Sequence, residues 1–125
     1  MPLPAGLAET VQTVIPAYRD QLAEMVNVDC GSYTPAGVNR IADLVATRLT
    51  ELGATVERVR HQPDDGERQL GDLVIGRLAG SGPRLLLIGH MDTVFDPGTA
   101  AARPFAVVGD RATGPRTPPV RRWVG

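Results

Sequence analysis

The sequence predicts an α/β chain, with two helices followed by three to four strands that form an incomplete sheet. Residues 6–27 and 35–52 repeat apolar side chains at steps of three or four, which is typical of one face of a helix. Residues 72–78 and 84–88 are short apolar runs separated by glycine, serine and proline, which is typical of strands joined by a turn. The 125 residues, only 4% of them aromatic, suffice for one modest domain with an aliphatic core.

The first predicted helix spans residues 6–27 and contains Pro16. Proline removes one backbone donor and crowds the preceding turn, so the helix either kinks at Pro16 or a second helix begins there. The apolar positions of this segment are Val11, Val14 or Ile15, Tyr18, Leu22 and Met25.

The second predicted helix follows a connection rich in turn residues. Thr34 can cap this helix, and Pro35 fits its first turn because the missing N–H has no partner there. Gly53 can end it in a left-handed conformation. The apolar stripe comprises Val38, Ile41, Val45, Leu49 and Leu52, and the residues expected elsewhere on the surface are Arg40, Asp43, Arg48 and Glu51.

Three further segments are predicted from their residue types. Residues 54–60 contain β-branched side chains and predict a strand, whereas the polar residues 61–71 predict a loop. Residues 103–113 predict another short strand, with Gly109 and Asp110 as a turn.

The most apolar part of the chain precedes a histidine. Residues 72–80 and 83–90 predict a hairpin or another tight connection between strands. Residues 85–88 are apolar without alternation, so we expect both faces of that strand to be buried.

Composition excludes several classes of protein. The net charge of −1 argues against a nucleic-acid partner, and no apolar run approaches the ~20 residues that span a bilayer. The N-terminus has no basic region before an apolar stretch, so no secretory signal is expected and the cytoplasm is the expected location. Cys30 is the single cysteine, which excludes a disulfide framework and a cysteine-rich zinc site.

His90 follows the apolar run directly, and Asp92 lies two positions further on. In α/β sheets, ligands bind beyond the carboxyl ends of strands. A neutral imidazole binds zinc well, and a ligating histidine usually donates its other N–H to a carboxylate or carbonyl. The spacing also allows a histidine that hydrogen-bonds locally while Asp92 forms a turn, so the metal site remains one of two interpretations.

Longer stretches carry a resemblance to a known family. LLLIGHMDTVFDPGTAAARPFAVVGDRATGP resembles the first metal-site segment of the zinc metallopeptidases that include glutamate carboxypeptidase, aminoacylase, acetylornithine deacetylase and succinyl-diaminopimelate desuccinylase. VDCGSYTPAGVNRIADLVATRLTELGATVE is similar to the N-terminal helices of the same family. The resemblance covers roughly residues 15–115 and is greatest to the glutamate carboxypeptidase branch.

This resemblance implies a fold, a site and a reaction. Residues 1–115 would be the N-terminal portion of a zinc-exopeptidase catalytic domain. His90 would bind one ion of a two-zinc site, and Asp92 would be the catalytic carboxylate that supports it. The family hydrolyses an amide or peptide bond beside a free carboxylate, in amino-acid conjugates or peptides. Its members are often homodimers through a smaller inserted domain, and nothing in the resemblance implies a nucleic-acid or membrane partner.

The resemblance ends near the C-terminus. Gly114 and Pro115 match the start of the family's second motif, but Arg116 stands where a glycine is expected, and no carboxylate follows Asp110. A zinc site needs about four ligands, so we expect a truncated hydrolase that lacks most ligands and the general base and does not turn over substrate. The Arg- and Pro-rich residues 116–125 are expected to be disordered, and their composition suggests a frameshift or truncation in a GC-rich gene.

Other interpretations use other residues. His61 and Cys30 are conceivable substitute ligands, although His61 lies in a polar loop and nothing near Cys30 in the sequence marks it as a ligand. A non-enzymatic α/β binding module with a basic tail is the main alternative function. Two copies of His90 sharing one ion across a symmetric interface are a third possibility.

Overall fold

The computed structural model describes residues 5–115, and in that range it contains three helices and two separate antiparallel sheets of two strands each. The predicted α/β class is confirmed. The elements are α1 (Leu7–Val26), α2 (Pro35–Glu51), β1 (Thr55–Val59), β2 (Leu73–Arg77), α3 (Thr99–Ala102), β3 (Ala106–Val108) and β4 (Arg111–Thr113).

Helix α1 is one continuous helix of 20 residues with Pro16 inside it, so no second helix begins at that proline. Its predicted apolar face is only partly covered. Ile15, Leu22 and Met25 are half-buried, whereas Val11, Val14 and Tyr18 are exposed. The C-terminal part of α1 therefore makes most of its contact with the rest of the chain, with Met25 packed against the core.

Helix α2 begins and ends where the sequence predicts. Thr34 occupies the N-cap position, but its hydroxyl makes no capping hydrogen bond, which corrects the predicted role of that side chain. Gly53 has φ +83°, and its N–H donates to the Thr50 carbonyl at 2.9 Å. The Ala54 N–H donates to the Leu49 carbonyl at 2.9 Å. These two bonds form a Schellman motif, which satisfies carbonyls at the end of the helix.

The core lies between α2 and the segments that flank the candidate site. Val38 and Ile41 of α2 are buried together with Cys30, and Met91 packs against this cluster. Leu52, the last residue of the predicted stripe, occupies the C-cap position just after α2 and is 69% exposed, so the covered part of the stripe ends at Leu49, which is half-buried.

Strands β1 and β2 pair with each other along their whole length, from Thr55 opposite Arg77 to Val59 opposite Leu73. Helix α2 packs on this sheet. The side chain of Leu49 lies so close to Gly76 that a Cβ there would stand 2.8 Å from a Leu49 methyl carbon. Arg58 of β1 forms ion pairs with Asp43 of α2 and with Asp72. Helix and sheet are thus joined by apolar packing and by charge.

The predicted strand at residues 84–88 is wrong, and so is the predicted hairpin between residues 72–80 and 83–90. Residues 84–90 form no strand, and β2 pairs with β1 instead. The expected burial is also absent, because Leu85, Leu86, Leu87 and Ile88 are 84%, 79%, 84% and 87% exposed. An apolar run favours burial of its side chains. Burial on two faces, however, requires neighbouring strands and helices, which the described residues do not supply.

Within residues 103–113, for which a short strand is predicted, β3 and β4 form a small hairpin. Gly109 has φ +62° at the predicted turn, which confirms that turn. Helix α3, of four residues, has no counterpart in the sequence prediction.

Residues 116–125, for which disorder is predicted, lie outside the described range. Among residues 5–115, none of the helices combines the length and the apolar character needed to cross a membrane.

Candidate functional site

His90 and Asp92 form a contact pair on the surface. The His90 Nδ1 atom lies 3.1 Å from Asp92 Oδ1 and 2.9 Å from the Asp92 backbone carbonyl oxygen. Both neighbours are acceptors, so Nδ1 is the nitrogen that donates, and in the neutral ring Nε2 then carries the lone pair. The His90 side chain is 85% exposed and that of Asp92 is 39% exposed. The pair predicted from spacing is therefore brought together, although not at the end of a strand.

A third residue, Ser32, completes this group. The Ser32 hydroxyl donates to Asp92 Oδ2 at 2.5 Å. This hydrogen bond is the main reason that the pKa of Asp92 lies below its ordinary value of 3.8. Contact with His90 lowers the pKa further, while partial burial of the carboxylate acts in the opposite direction. Asp92 is thus held as a carboxylate at neutral pH.

Backbone pairing holds Ser32 in place. The Ser32 N–H donates to the Thr93 carbonyl at 3.0 Å, and the Thr93 N–H donates to the Cys30 carbonyl at 2.8 Å. These bonds form an isolated parallel bridge between Gly31 and Thr93. Glycine is needed at position 31, since a Cβ there would stand 2.6 Å from the Phe95 carbonyl oxygen.

A cavity of about 290 Å³ adjoins the pair. Its walls are mostly apolar side chains from the end of α1, from α2 and from the segment after His90, and its polar lining residues include Asp29, His90 and Asp92. Cys30 also lines it, and burial raises the pKa of the Cys30 thiol. The thiol is therefore protonated at neutral pH and is a poor metal ligand in this state.

Asp29 connects the same loop to α3. Its Oδ2 atom accepts from the Gly98 N–H at 2.7 Å, and its Oδ1 atom accepts from the Ala100 N–H at 2.9 Å. The bonds from Ala100 and Gly98 lower the pKa of Asp29. Both oxygens accept hydrogen bonds from backbone N–H groups, so Asp29 links two segments that line the cavity.

His61 lies in its predicted loop and has a local role. Its Nδ1 atom accepts from the Leu70 N–H at 3.2 Å, and the Gln69 amide donates to the His61 carbonyl at 2.9 Å. These contacts close the loop and do not bring His61 to His90.

The residues that the structure describes fit a zinc ion only in part. His90 offers one imidazole nitrogen with a lone pair, but no group of three or more His, Cys, Asp or Glu side chains in residues 5–115 is arranged to hold a metal. A structural zinc site takes four protein ligands and a catalytic one about three. These residues alone therefore do not form a zinc site.

Ser32 and Asp29 were missed by sequence reasoning. They lie 60 or more positions from the groups they bind, within a segment that reads only as a connection. A serine or aspartate in such a segment is ordinary turn chemistry. Nothing in the local sequence distinguishes a side chain that reaches a remote site from one that hydrogen-bonds to its own loop.

Fold and site together define a small α/β unit that presents a Ser–Asp–His group beside an apolar cavity. No family model matches the chain. The chain is similar to carboxypeptidase G2 from Pseudomonas sp. (strain RS-16), with 36% identity over 101 residues. Those residues are 80% of this chain and 23% of that protein, so the chain spans about a quarter of the length of the curated relative it matches.

Proposed function

We propose that this chain belongs to the zinc metallopeptidase family that it resembles and carries the first metal-binding segment of a carboxypeptidase-type hydrolase. In this proposal, His90 is a ligand to zinc and Asp92 is the carboxylate that supports it. The 36% identity to carboxypeptidase G2 over 80% of the chain is the observation that carries the proposal.

The geometry supports these roles. Asp92 accepts the Nδ1 proton of His90, which leaves Nε2 as the nitrogen that can bind a metal. The His90 side chain is 85% exposed, so an ion and further ligands can approach that nitrogen. The described residues supply one nitrogen that can bind a metal, and no hydrolytic step follows from them alone. Catalysis would need further ligands and a general base.

The family reaction suggests the class of substrate. A hydrolase of this type would cleave an amide or peptide bond beside a free carboxylate, in a peptide or an amino-acid conjugate. Zinc would polarise the scissile carbonyl and activate water when its ligand set is complete. The described residues contain no observation that favours the alternative of a non-enzymatic binding module.

Metal binding by the intact chain tests the role of His90. We expect Zn²⁺ to bind weakly and to perturb the NMR signals of the His90 ring. His90→Ala should abolish that binding. The chain has two histidines, so His61→Ala is a matched control and should leave the binding unchanged. Equal binding by wild type and His90→Ala would contradict the proposed ligand.

A chimera tests the hydrolase assignment. The region of carboxypeptidase G2 that this chain matches would be replaced by the chain's own residues, and release of a C-terminal amino acid from a peptide would be measured. We expect zinc-dependent release that the same chimera with His90→Ala lacks. A folded, zinc-loaded chimera without activity would overturn the assignment.

A further inference from the structure

We propose that Ser32 is a positioning residue that orients the His90 imidazole through Asp92. Its hydroxyl fixes the Asp92 carboxylate, the carboxylate holds the Nδ1 proton of His90, and Nε2 is thereby left for a ligand. The identity of that ligand as zinc rests on the proposed function, whereas the positioning itself is a property of the metal-free chain.

The hydroxyl proton of Ser32 has one clear acceptor. Its oxygen lies 2.5 Å from Asp92 Oδ2 and 3.3 Å from the Thr93 carbonyl oxygen. Hydrogen bonds from a hydroxyl to a carboxylate are typically about 2.5–2.7 Å long and roughly twice as strong as neutral ones. The proton therefore lies on the bond to Asp92.

The two oxygens of Asp92 have different partners. Oδ2 accepts from Ser32, and Oδ1 lies 3.1 Å from His90 Nδ1. A carboxylate is planar, so a bond that fixes one oxygen also fixes the direction of the other. Asp92 is 39% exposed, and without Ser32 its carboxylate would be able to turn toward water and release the imidazole.

Ser32 is itself held by the backbone rather than by the site. The bridge between Gly31 and Thr93 fixes its main chain, and the neighbouring Cys30 is buried in the core. A group that orients a ligand is effective when its own conformation is fixed by packing and hydrogen bonds. The main chain of Ser32 is therefore held in place without His90 or any ion.

The tautomer of His90 is the measurement that tests this inference. Ring-nitrogen chemical shifts of the full chain, without metal and at a pH where the imidazole is neutral, distinguish a proton on Nδ1 from one on Nε2. We expect the Nδ1–H form in the wild type and loss of that preference in Ser32→Ala. Ser32→Thr, which keeps the hydroxyl, should restore it, and His61 is an internal control that should not change.

Two results would overturn the inference. One is a folded Ser32→Ala chain that keeps the Nδ1–H form. The other is a wild type with its proton on Nε2, a result that does not depend on the folding of any variant. Zinc titration separates this inference from the proposed function. If wild type binds zinc, Ser32→Ala should bind it about 10- to 100-fold more weakly, whereas a wild type that binds no zinc contradicts only the proposed ligand.

Discussion

Asp29 shows, at the scale of single residues, how the walls of the candidate site are held. Its carboxylate accepts two backbone N–H groups from the start of α3, at 2.7 and 2.9 Å, across about 70 positions of sequence. Negative charge at a helix N-terminus is favourable because the first N–H groups of a helix have no partner within it. α3 has only four residues, and Asp29 provides acceptors for N–H groups at its start from outside the helix.

The Asp29 carboxylate makes stability depend on pH. The N–H groups of Ala100 and Gly98 lower the folded-state pKa of Asp29 below its ordinary value of 3.8. A lowered folded-state pKa contributes stability that is present above the unfolded-state pKa and is lost as pH falls through the folded-state value. We therefore expect Asp29→Asn to be less stable than wild type at pH 7, with a difference that shrinks as pH falls below about 4.

Urea unfolding at a series of pH values would measure this difference. Asp65→Asn, which changes an exposed loop carboxylate, is the matched control and should have the same urea midpoint as the wild type at pH 7. A destabilisation by Asp29→Asn that stays constant from pH 7 to pH 3 would show that the charge of Asp29 is not what stabilises α3.

The candidate site was predictable in part at this scale. His90 and Asp92 are two positions apart, so their contact follows from local chain geometry. Ser32 reaches Asp92 across 60 positions, and the bridge between Gly31 and Thr93 brings the two residues together. A bridge of two residues has no periodic pattern, so no sequence signal marks it.

At the scale of elements, α2 joins the site to the first sheet. Its first turn packs against the loop that carries Ser32, and its later turns pack on β1 and β2. Gly37 makes the first of these contacts possible. A Cβ at this position would overlap the Asp29 carbonyl oxygen and would stand 3.1 Å from the Cys30 Cα atom.

Gly37→Ala tests that packing. Alanine favours a helix over glycine by about 1 kcal/mol, but overpacking against well-fixed groups typically costs about 1–3 kcal/mol. The atoms contacted here are backbone and cannot turn away, so we expect a net loss of stability, measured as a lower urea midpoint. Gly80→Ala is the matched control, because no atom lies within 4 Å of the Cβ it would add. A stability of Gly37→Ala equal to or above that of the wild type would contradict this packing.

The elements that were predicted correctly are those specified by nearby residues. The end of α2 follows from Gly53, and the β3–β4 turn follows from Gly109, each of which adopts a positive φ. The strand predicted at residues 84–88 depends on remote partners. The apolar run indicates that these side chains favour burial away from water, but it does not indicate which strand would pair with this segment. Helix α3 was missed because four residues are too few to show a period.

At the scale of the whole molecule, the described residues bury few side chains. The buried apolar residues in this range are Cys30, Val38, Ile41, Ala42, Ala54 and Ala100. Three of these six are alanines, which bury little area. Residues 85–88, in contrast, leave four large aliphatic side chains more than three-quarters exposed. A contiguous patch of this kind is unusual on a monomer and is typical of an interaction surface or an aggregation site.

We therefore expect the isolated chain to self-associate through residues 85–88. Burying a large aliphatic side chain contributes about 1.5–3 kcal/mol, and a segment that lies in no sheet can offer its backbone donors and acceptors to a second copy. Size-exclusion chromatography with light scattering should show a mass that rises with protein concentration. Leu87→Asp should move the chain toward monomer, because a charge at this position opposes burial. Leu78→Asp is the matched control, because Leu78 is 62% exposed but lies outside residues 85–88. This variant should still self-associate. A wild-type chain that remains monomeric at all concentrations and unfolds in one sharp, reversible thermal transition would contradict this expectation.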